Sequence, residues 1–182
     1  MGYLIAAVLL VGAVGLVNLV LILGILRRLR EHTTALSRFT LTGGDPIVAR
    51  PGSVVGAFTA TTTTAGRIGT ADLTPGTLVG FFSPDCPACV SGLPDFVERA
   101  RGVSAGGAEA LAVVIGAEPD VTAIREQLEP FARVVVEPAE GAVSRAFSVN
   151  GYPAYLRIGA GATIDASGFD LKMLDDNAPV PA

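Results

Sequence analysis

The stretch that most limits how this chain can fold is Thr77-Leu-Val-Gly-Phe-Phe-Ser-Pro-Asp-Cys86-Pro-Ala-Cys89. Thr77 to Phe82 is apolar on both faces, as a central strand is. From Pro87 to Arg101 the residues Val90, Leu93, Phe96, Val97 and Ala100 recur at helical spacing, with Pro94 inside the run, where it is expected to kink the helix. A strand followed at once by a helix puts Cys86 near the N-cap and Cys89 one turn in. Unpaired backbone N–H groups and the helix dipole at that end favour a thiolate on Cys86. The thiolate is the nucleophile of disulfide exchange, and two intervening residues let Cys89 reach back to resolve a mixed disulfide. Cys86 is thus expected to attack and Cys89 to resolve. Pro87 suits the first helical position, where its missing N–H costs nothing. Ala88 adds no charge, and Asp85 opposes the anion unless it points to solvent.

Two cysteines and one histidine are too few for a disulfide framework, a zinc ribbon or a His-rich metal site. The pair is a redox couple, half of a shared metal site, or two buried thiols. His32, the single histidine, has no neighbour in sequence that would orient it as a ligand or base, and reads as a solvated residue.

Charge is unevenly spread. Arg27, Arg28, Arg30 and Arg38 face a lone Glu31, and from Phe39 onward 9 basic residues stand against 16 acidic, a net of −7. An acidic globular part argues against nucleic acid as a partner. Basic residues beside an apolar run argue for a lipid headgroup region. That run, Tyr3 to Leu26, has 24 residues, no charge and one amide, Asn18, which is long enough to span a bilayer core as a helix. No basic segment precedes it, and Arg27-Arg28-Leu29-Arg30 follows where a small-residue cleavage site would sit, so an uncleaved anchor is expected rather than a signal peptide. The chain therefore divides into an anchor over 1–26, a stem over 27–50, a folded domain over 51–174 and a flexible tail over 175–182.

Within the domain, Val54 to Ala60 reads as a strand, and Ala65-Gly66 turns the chain into Arg67 to Gly69, giving a hairpin. Ala71-Asp72-Leu73 is one turn before Pro75-Gly76. Further strands are expected over Ala110 to Ile115, Arg133 to Val136, Pro153 to Ile158 and Ala162 to Ala166, the last two forming a hairpin about Gly159-Ala160-Gly161. Helices are expected over Val121 to Leu128 and Gly141 to Phe147, with a stub over Phe169 to Leu174. Alternating strands and helices closed by a hairpin make an α/β domain with a mixed central sheet.

Asn150-Gly-Tyr152-Pro153-Ala-Tyr opens the penultimate strand, where a cis-proline would face the cysteines. With it, the segment from Pro51 to about Gly168 resembles the thioredoxin fold, and in particular the TlpA-like and MauD-like membrane redoxins. Pro51-Gly-x-x-Val-Gly56-x-Phe58 resembles their leading strand, Thr59 to Leu73 their hairpin, and Phe81-Phe-Ser-Pro-x-Cys-Pro-x-Cys89 the MauD-type active site. Pro94 matches the kink proline and Gly151-Tyr-Pro153 the cis-proline loop. The resemblance implies a membrane-tethered thiol–disulfide oxidoreductase that needs no cofactor and exchanges disulfides with cysteines of a protein partner. Its electron donor or acceptor would be another protein. TlpA-like relatives mostly reduce disulfides outside the cytoplasm, and MauD is implicated in maturing the cysteine-rich subunit of methylamine dehydrogenase. The resemblance thus points the domain outward from a single-pass anchor in the cell membrane. Arg27, Arg28 and Arg30, lying after the span, point it to the cytoplasm.

Two departures matter. Thioredoxins often carry a buried acid six residues before the first cysteine; here that residue is Gly80. The usual aromatic residue just before that cysteine is Asp85. Ser83-Pro-Asp-Cys86 also resembles the Ser/Thr-x-x-Cys of peroxiredoxins, although their proline three residues before the Ser is again Gly80. A thiol peroxidase is the alternative enzyme, and an anchored binding or metal-carrier module the alternative that is not an enzyme.

Overall fold

The computed structural model describes residues 48–176, together with the isolated positions 2, 3, 9 and 12. The chain divides into two compact units, residues 1–45 and 46–182. The expected anchor over 1–26, and all of the stem but its last three residues, lie outside the described residues, as do residues 177–182 of the tail. Among the described residues no helix is long and apolar enough to cross a membrane.

In chain order the second unit holds β1 (Thr59–Thr61), β2 (Arg67–Gly69), β3 (Leu78–Phe82), α1 (Pro87–Ala105), β4 (Ala110–Ile115), α2 (Thr122–Leu128), β5 (Arg133–Glu137), α3 (Ala142–Ala146), β6 (Ala154–Ile158), β7 (Ile164–Gly168) and α4 (Met173–Asp176). β1 and β2 form an antiparallel hairpin. The main sheet has the order β5-β4-β3-β6-β7, with β3, β4 and β5 parallel and β6 and β7 antiparallel. Every residue of β3 is buried, because it is the central strand of a sheet covered on both faces.

Strand alternation divides the core. Val79 and Phe81 face one layer, with Leu111, Val113, Phe147 and the hairpin's Ile68. Leu78 and Phe82 face the other, with Leu93, Phe96, Val114, Leu128 and Tyr155. Gly80 faces this second layer beneath the rings of Phe82 and Phe96. Phe82 meets Phe96 edge-on with centroids 5.1 Å apart and Tyr155 at 5.9 Å, and Phe96 stacks on Tyr155 at 6.2 Å.

The structure corrects several expected boundaries. The strand expected over Val54 to Ala60 is shortened to Thr59–Thr61, and Val54, which is exposed, makes only an isolated bridge to Thr163. The backbone before β1 is engaged elsewhere: Gly52 donates to Ile164 and Ile164 to Ser53, Val55 donates to Ala162, and Gly56 to Ala146. Helix α1 runs past Arg101 to Ala105 and stops at Gly106-Gly107, where Gly107 takes φ +84°. Pro94 lies within it on an exposed position, and the helix continues beyond it. Val90 is 52% exposed, and Cys89 takes the buried place on its turn of the helix. The expected stub becomes helical only at Met173. Asp175 then belongs to α4 and pairs with Arg99, so the tail does not begin at 175. At the other end Val48 and Ala49 are buried in the core, and Ser167 donates to the Ala49 carbonyl at 2.7 Å, so the domain begins before 51.

Candidate active site

Strand β3 ends at Phe82, and Ser83-Pro84-Asp85 carries the chain to the front of α1. The turn is closed by the Cys86 N–H, which donates to the Ser83 carbonyl at 3.2 Å. Cys86 is the N-cap of α1, with extended backbone (φ −105°, ψ 105°), and Pro87 opens the helix. The Cys89 N–H is shared between Cys86 Sγ at 3.1 Å and the Cys86 carbonyl at 3.0 Å, so the sulfur stands where an oxygen cap would at the helix start. Both cysteines are free thiols, Cys86 partly exposed and Cys89 fully buried. Pro87, Ala88 and Asp85 are exposed; Asp85 therefore lies toward solvent.

The opposite wall comes from the segment that leads into β6. The Tyr152–Pro153 peptide bond is cis. The Tyr152 carbonyl accepts from Cys86 Sγ at 3.4 Å, a contact between residues 66 apart in sequence. β6 pairs antiparallel with β3, and this register, with Ala154 opposite Phe81 and Tyr155 opposite Gly80, is what brings the loop to the cysteine turn.

Burial pushes the Cys89 thiol up to about 12, and the neighbouring Cys86 sulfur adds to the effect. At neutral pH Cys89 therefore carries its proton. Burial also pushes the Tyr155 hydroxyl well above the ordinary phenol range, with Cys89, Asp170 and Asp95 adding to it. The Tyr152 hydroxyl moves the same way, again chiefly through burial, opposed by a hydrogen bond with Ser144.

The position that the resemblance marks for a buried acid is closed. A Cβ built on Gly80 would lie 2.6 Å from Phe96 Cε2 and 2.8 Å from Phe82 Cε2, so no carboxylate fits there with the rings in place. A buried carboxylate stands elsewhere. Glu137, at the end of β5, is 7% exposed and accepts from the Val143 N–H at 2.9 Å, from the Ser144 N–H at 2.7 Å and from the Ser144 hydroxyl at 2.7 Å. It satisfies the open end of α3, and the absence of a side chain at Gly141 makes room for it. Ser144 and Glu137 both stand near enough to the Tyr152 hydroxyl, in the loop that carries the cis-proline, to bear on its proton. Sequence reading missed Glu137, Ser144 and Tyr155. Tyr155 follows Pro153 by two and shares its face of the strand, which is a usable signal; Glu137 caps a helix that starts several residues later, which no local pattern marks.

Among the described residues no group of three or more His, Cys, Asp or Glu side chains is gathered to hold a metal ion.

The fold is thioredoxin-like, and solved structures similar to this chain include thiol–disulfide oxidoreductases of that fold. The thioredoxin domain of a thiol–disulfide oxidoreductase from Bacteroides vulgatus matches with a TM-score of 0.58 and 18% identity, over 70% of this chain and 94% of that one. A thiol:disulfide interchange protein of the thioredoxin family from Chlorobium tepidum matches with a TM-score of 0.55 and 22% identity, over 70% and 92%. A secreted disulfide oxidoreductase from Mycobacterium tuberculosis matches with a TM-score of 0.50 and 19% identity, over 68% and 87%. No family model and no curated protein sequence matches the chain.

Proposed function

We propose that the chain is a thiol–disulfide oxidoreductase, anchored in the cell membrane by residues 1–26, that exchanges disulfides with cysteines of a protein partner. The observation that carries this reading is the unequal pair of thiols: a partly exposed Cys86 sulfur at a helix start, touching the Tyr152 carbonyl, with a buried, protonated Cys89 behind it.

In the reducing direction the Cys86 thiolate attacks one sulfur of a partner disulfide. A Cys86–partner bond forms, the partner's S–S bond breaks, and one partner thiolate leaves and takes a proton from water. Cys89 then gives up its proton and attacks Cys86 Sγ. The Cys86–Cys89 bond forms, the mixed disulfide breaks, and the second partner thiolate leaves. The chain has lost two electrons and the partner has gained them. Run backwards, the same steps place a disulfide in the partner. An external redox protein returns the pair to its starting state. The high proton affinity of Cys89 keeps it from competing with Cys86 for the first attack. With no acid at Gly80, its proton leaves without the buried base that the resemblance would supply.

Maturation of another cysteine-bearing redox protein fits this chemistry, as the MauD-like motif Phe81-Phe-Ser-Pro-x-Cys-Pro-x-Cys89 implies. Outward placement of the domain is supported by that resemblance and opposed by Arg27, Arg28 and Arg30. A reporter fused after Ala182 and active on one side of the membrane decides it.

The reading is tested by mixing the reduced full-length chain, in nonionic detergent, with insulin and with hydrogen peroxide in separate and competing reactions. Insulin disulfides are reduced and hold their share when peroxide is added. Rapid peroxide consumption with insulin untouched would instead make the chain a thiol peroxidase.

A further inference from the structure

Beside the cysteine turn lies a cavity of about 280 Å³. Ala88 and Pro153, neighbours of the attacking sulfur and of the carbonyl it touches, line it, together with Gly92 and Tyr155. Asp95 and Asp170 supply its only charges among the described residues.

Tyr155 is 2% exposed, and its hydroxyl, which no described residue hydrogen-bonds, is open to solvent at its tip, since it is not among the buried polar atoms left without a partner. That hydroxyl lies against α1 at Gly92, where a Cβ would come within 2.5 Å of it. A glycine on this helix turn is what gives the hydroxyl its place at the cavity. A phenol whose ring is buried and whose hydroxyl opens on a cavity wall offers a donor and an acceptor to whatever the cavity receives.

The two carboxylates are also without ion-pair partners among the described residues, although Asp170 accepts a turn hydrogen bond from the Lys172 N–H at 2.9 Å. Asp95 and Asp170 continue into an adjoining cavity of about 590 Å³, which adds Glu98 and Lys172 and the Arg99–Asp175 pair. With that pair neutral, three carboxylates face one ammonium group. The charge runs away from the cysteines along α1, so an incoming chain meets negative charge on this side of the attacking sulfur.

We propose that this cavity receives the polypeptide segment flanking the partner's cysteine, that the Tyr155 hydroxyl hydrogen-bonds that segment, and that Asp95 and Asp170 select a lysine or arginine beside the cysteine. The inference rests on the disulfide-exchange reading above and names the class of polypeptide that this surface takes. A segment with Glu or Asp at that place meets two like charges and is disfavoured. An uncharged segment still has the Tyr155 hydroxyl.

The test uses the reduced full-length chain in nonionic detergent and two peptides of one sequence, differing only in Arg or Glu beside a single cysteine. Each is supplied as its mixed disulfide with mercaptoethanol, and the single-turnover rate of exchange is measured. The Arg peptide reacts faster by on the order of tenfold at low salt, from two exposed charges acting together. The advantage shrinks in about 0.5 M NaCl, where the screening length is only a few ångströms. In the Asp95→Asn/Asp170→Asn chain the two rates converge, and in Tyr155→Phe both peptides react several-fold more slowly, their ratio unchanged. Equal rates in the parent chain, a ratio indifferent to salt, or a ratio that survives the double substitution would overturn the inference while leaving disulfide exchange standing. Failure to react with either peptide, and with the disulfide of mercaptoethanol itself, would instead overturn the underlying reading.

Discussion

The two walls of the site are built in different ways. The cysteine wall is local: a strand end, a three-residue turn and the first turn of α1, all within Phe82 to Cys89. The proline wall is assembled from afar, by the pairing of β6 with β3 and by a carboxylate on β5 that caps α3 beside Tyr152. The first wall supplies the nucleophile. The second supplies the surface a substrate meets and fixes which way the sulfur faces. A site of this kind loses its chemistry when the local wall is changed and its shape when the distant one is.

The largest effect falls on the local wall. Cys86→Ser removes the attacking sulfur, and the rate of exchange with a peptide disulfide falls by on the order of a thousandfold or more, read in single turnover. Next comes the floor between the walls. Gly80→Asp forces a carboxylate against Phe82 and Phe96, and urea unfolding shows a loss of about 3–5 kcal/mol. A variant as stable as the parent would show that the rings give way readily and that an acid can stand there after all.

On the distant wall, Glu137→Ala leaves the Val143 and Ser144 groups without their acceptor and lowers stability by roughly 2–3 kcal/mol. It also raises the substrate concentration needed for half-maximal exchange more than it lowers the maximal rate. An equal loss in both would show that Glu137 does not act through the loop.

A smaller, pH-linked effect separates the thiols. The folded state holds the Cys89 proton more tightly than the unfolded chain, so its contribution is complete below pH 9 and is lost as pH rises through about 12. Tyr155 adds a loss of the same sign beginning at its ordinary value of 10. Unfolding of the reduced protein is thus easier at pH 10.5 than at pH 8, and Cys89→Ala flattens part of that slope; an unchanged slope would remove the burial argument. The smallest effect belongs to Asp85, which is exposed. Asp85→Asn changes the rate of Cys86 alkylation by no more than about twofold to threefold at moderate salt.

The same contrast explains how much the sequence disclosed. The strand, the turn, Pro87 and the two cysteines are legible because hydrophobic run, turn residues and helical spacing follow one another without interruption. Every strand of the main sheet and α1 to α3 are legible for the same reason, with ends displaced by a few residues. Pro153 is legible only through the motif around it. The aromatic cluster beside Gly80 is not legible, since Phe82, Phe96 and Tyr155 meet through the sheet register and α1. Glu137 reads as the polar end of an apolar run. Its burial follows from where α3 starts, which is a tertiary fact. Helix ends misread for a different reason: the helix expected to end at Arg101 runs through Gly102, and the chain stops at Gly106-Gly107.

The central claim is that Cys86 and Cys89 have divided roles imposed by their surroundings. It is tested most directly by incubating the Cys86→Ala and Cys89→Ala chains with an excess of a disulfide-bonded peptide and mapping the covalent adducts by mass spectrometry. The account predicts a stable mixed disulfide on Cys86 in the Cys89→Ala chain and almost none in the Cys86→Ala chain. An adduct that forms on Cys89 in the absence of Cys86, with none on Cys86 in the absence of Cys89, would contradict it.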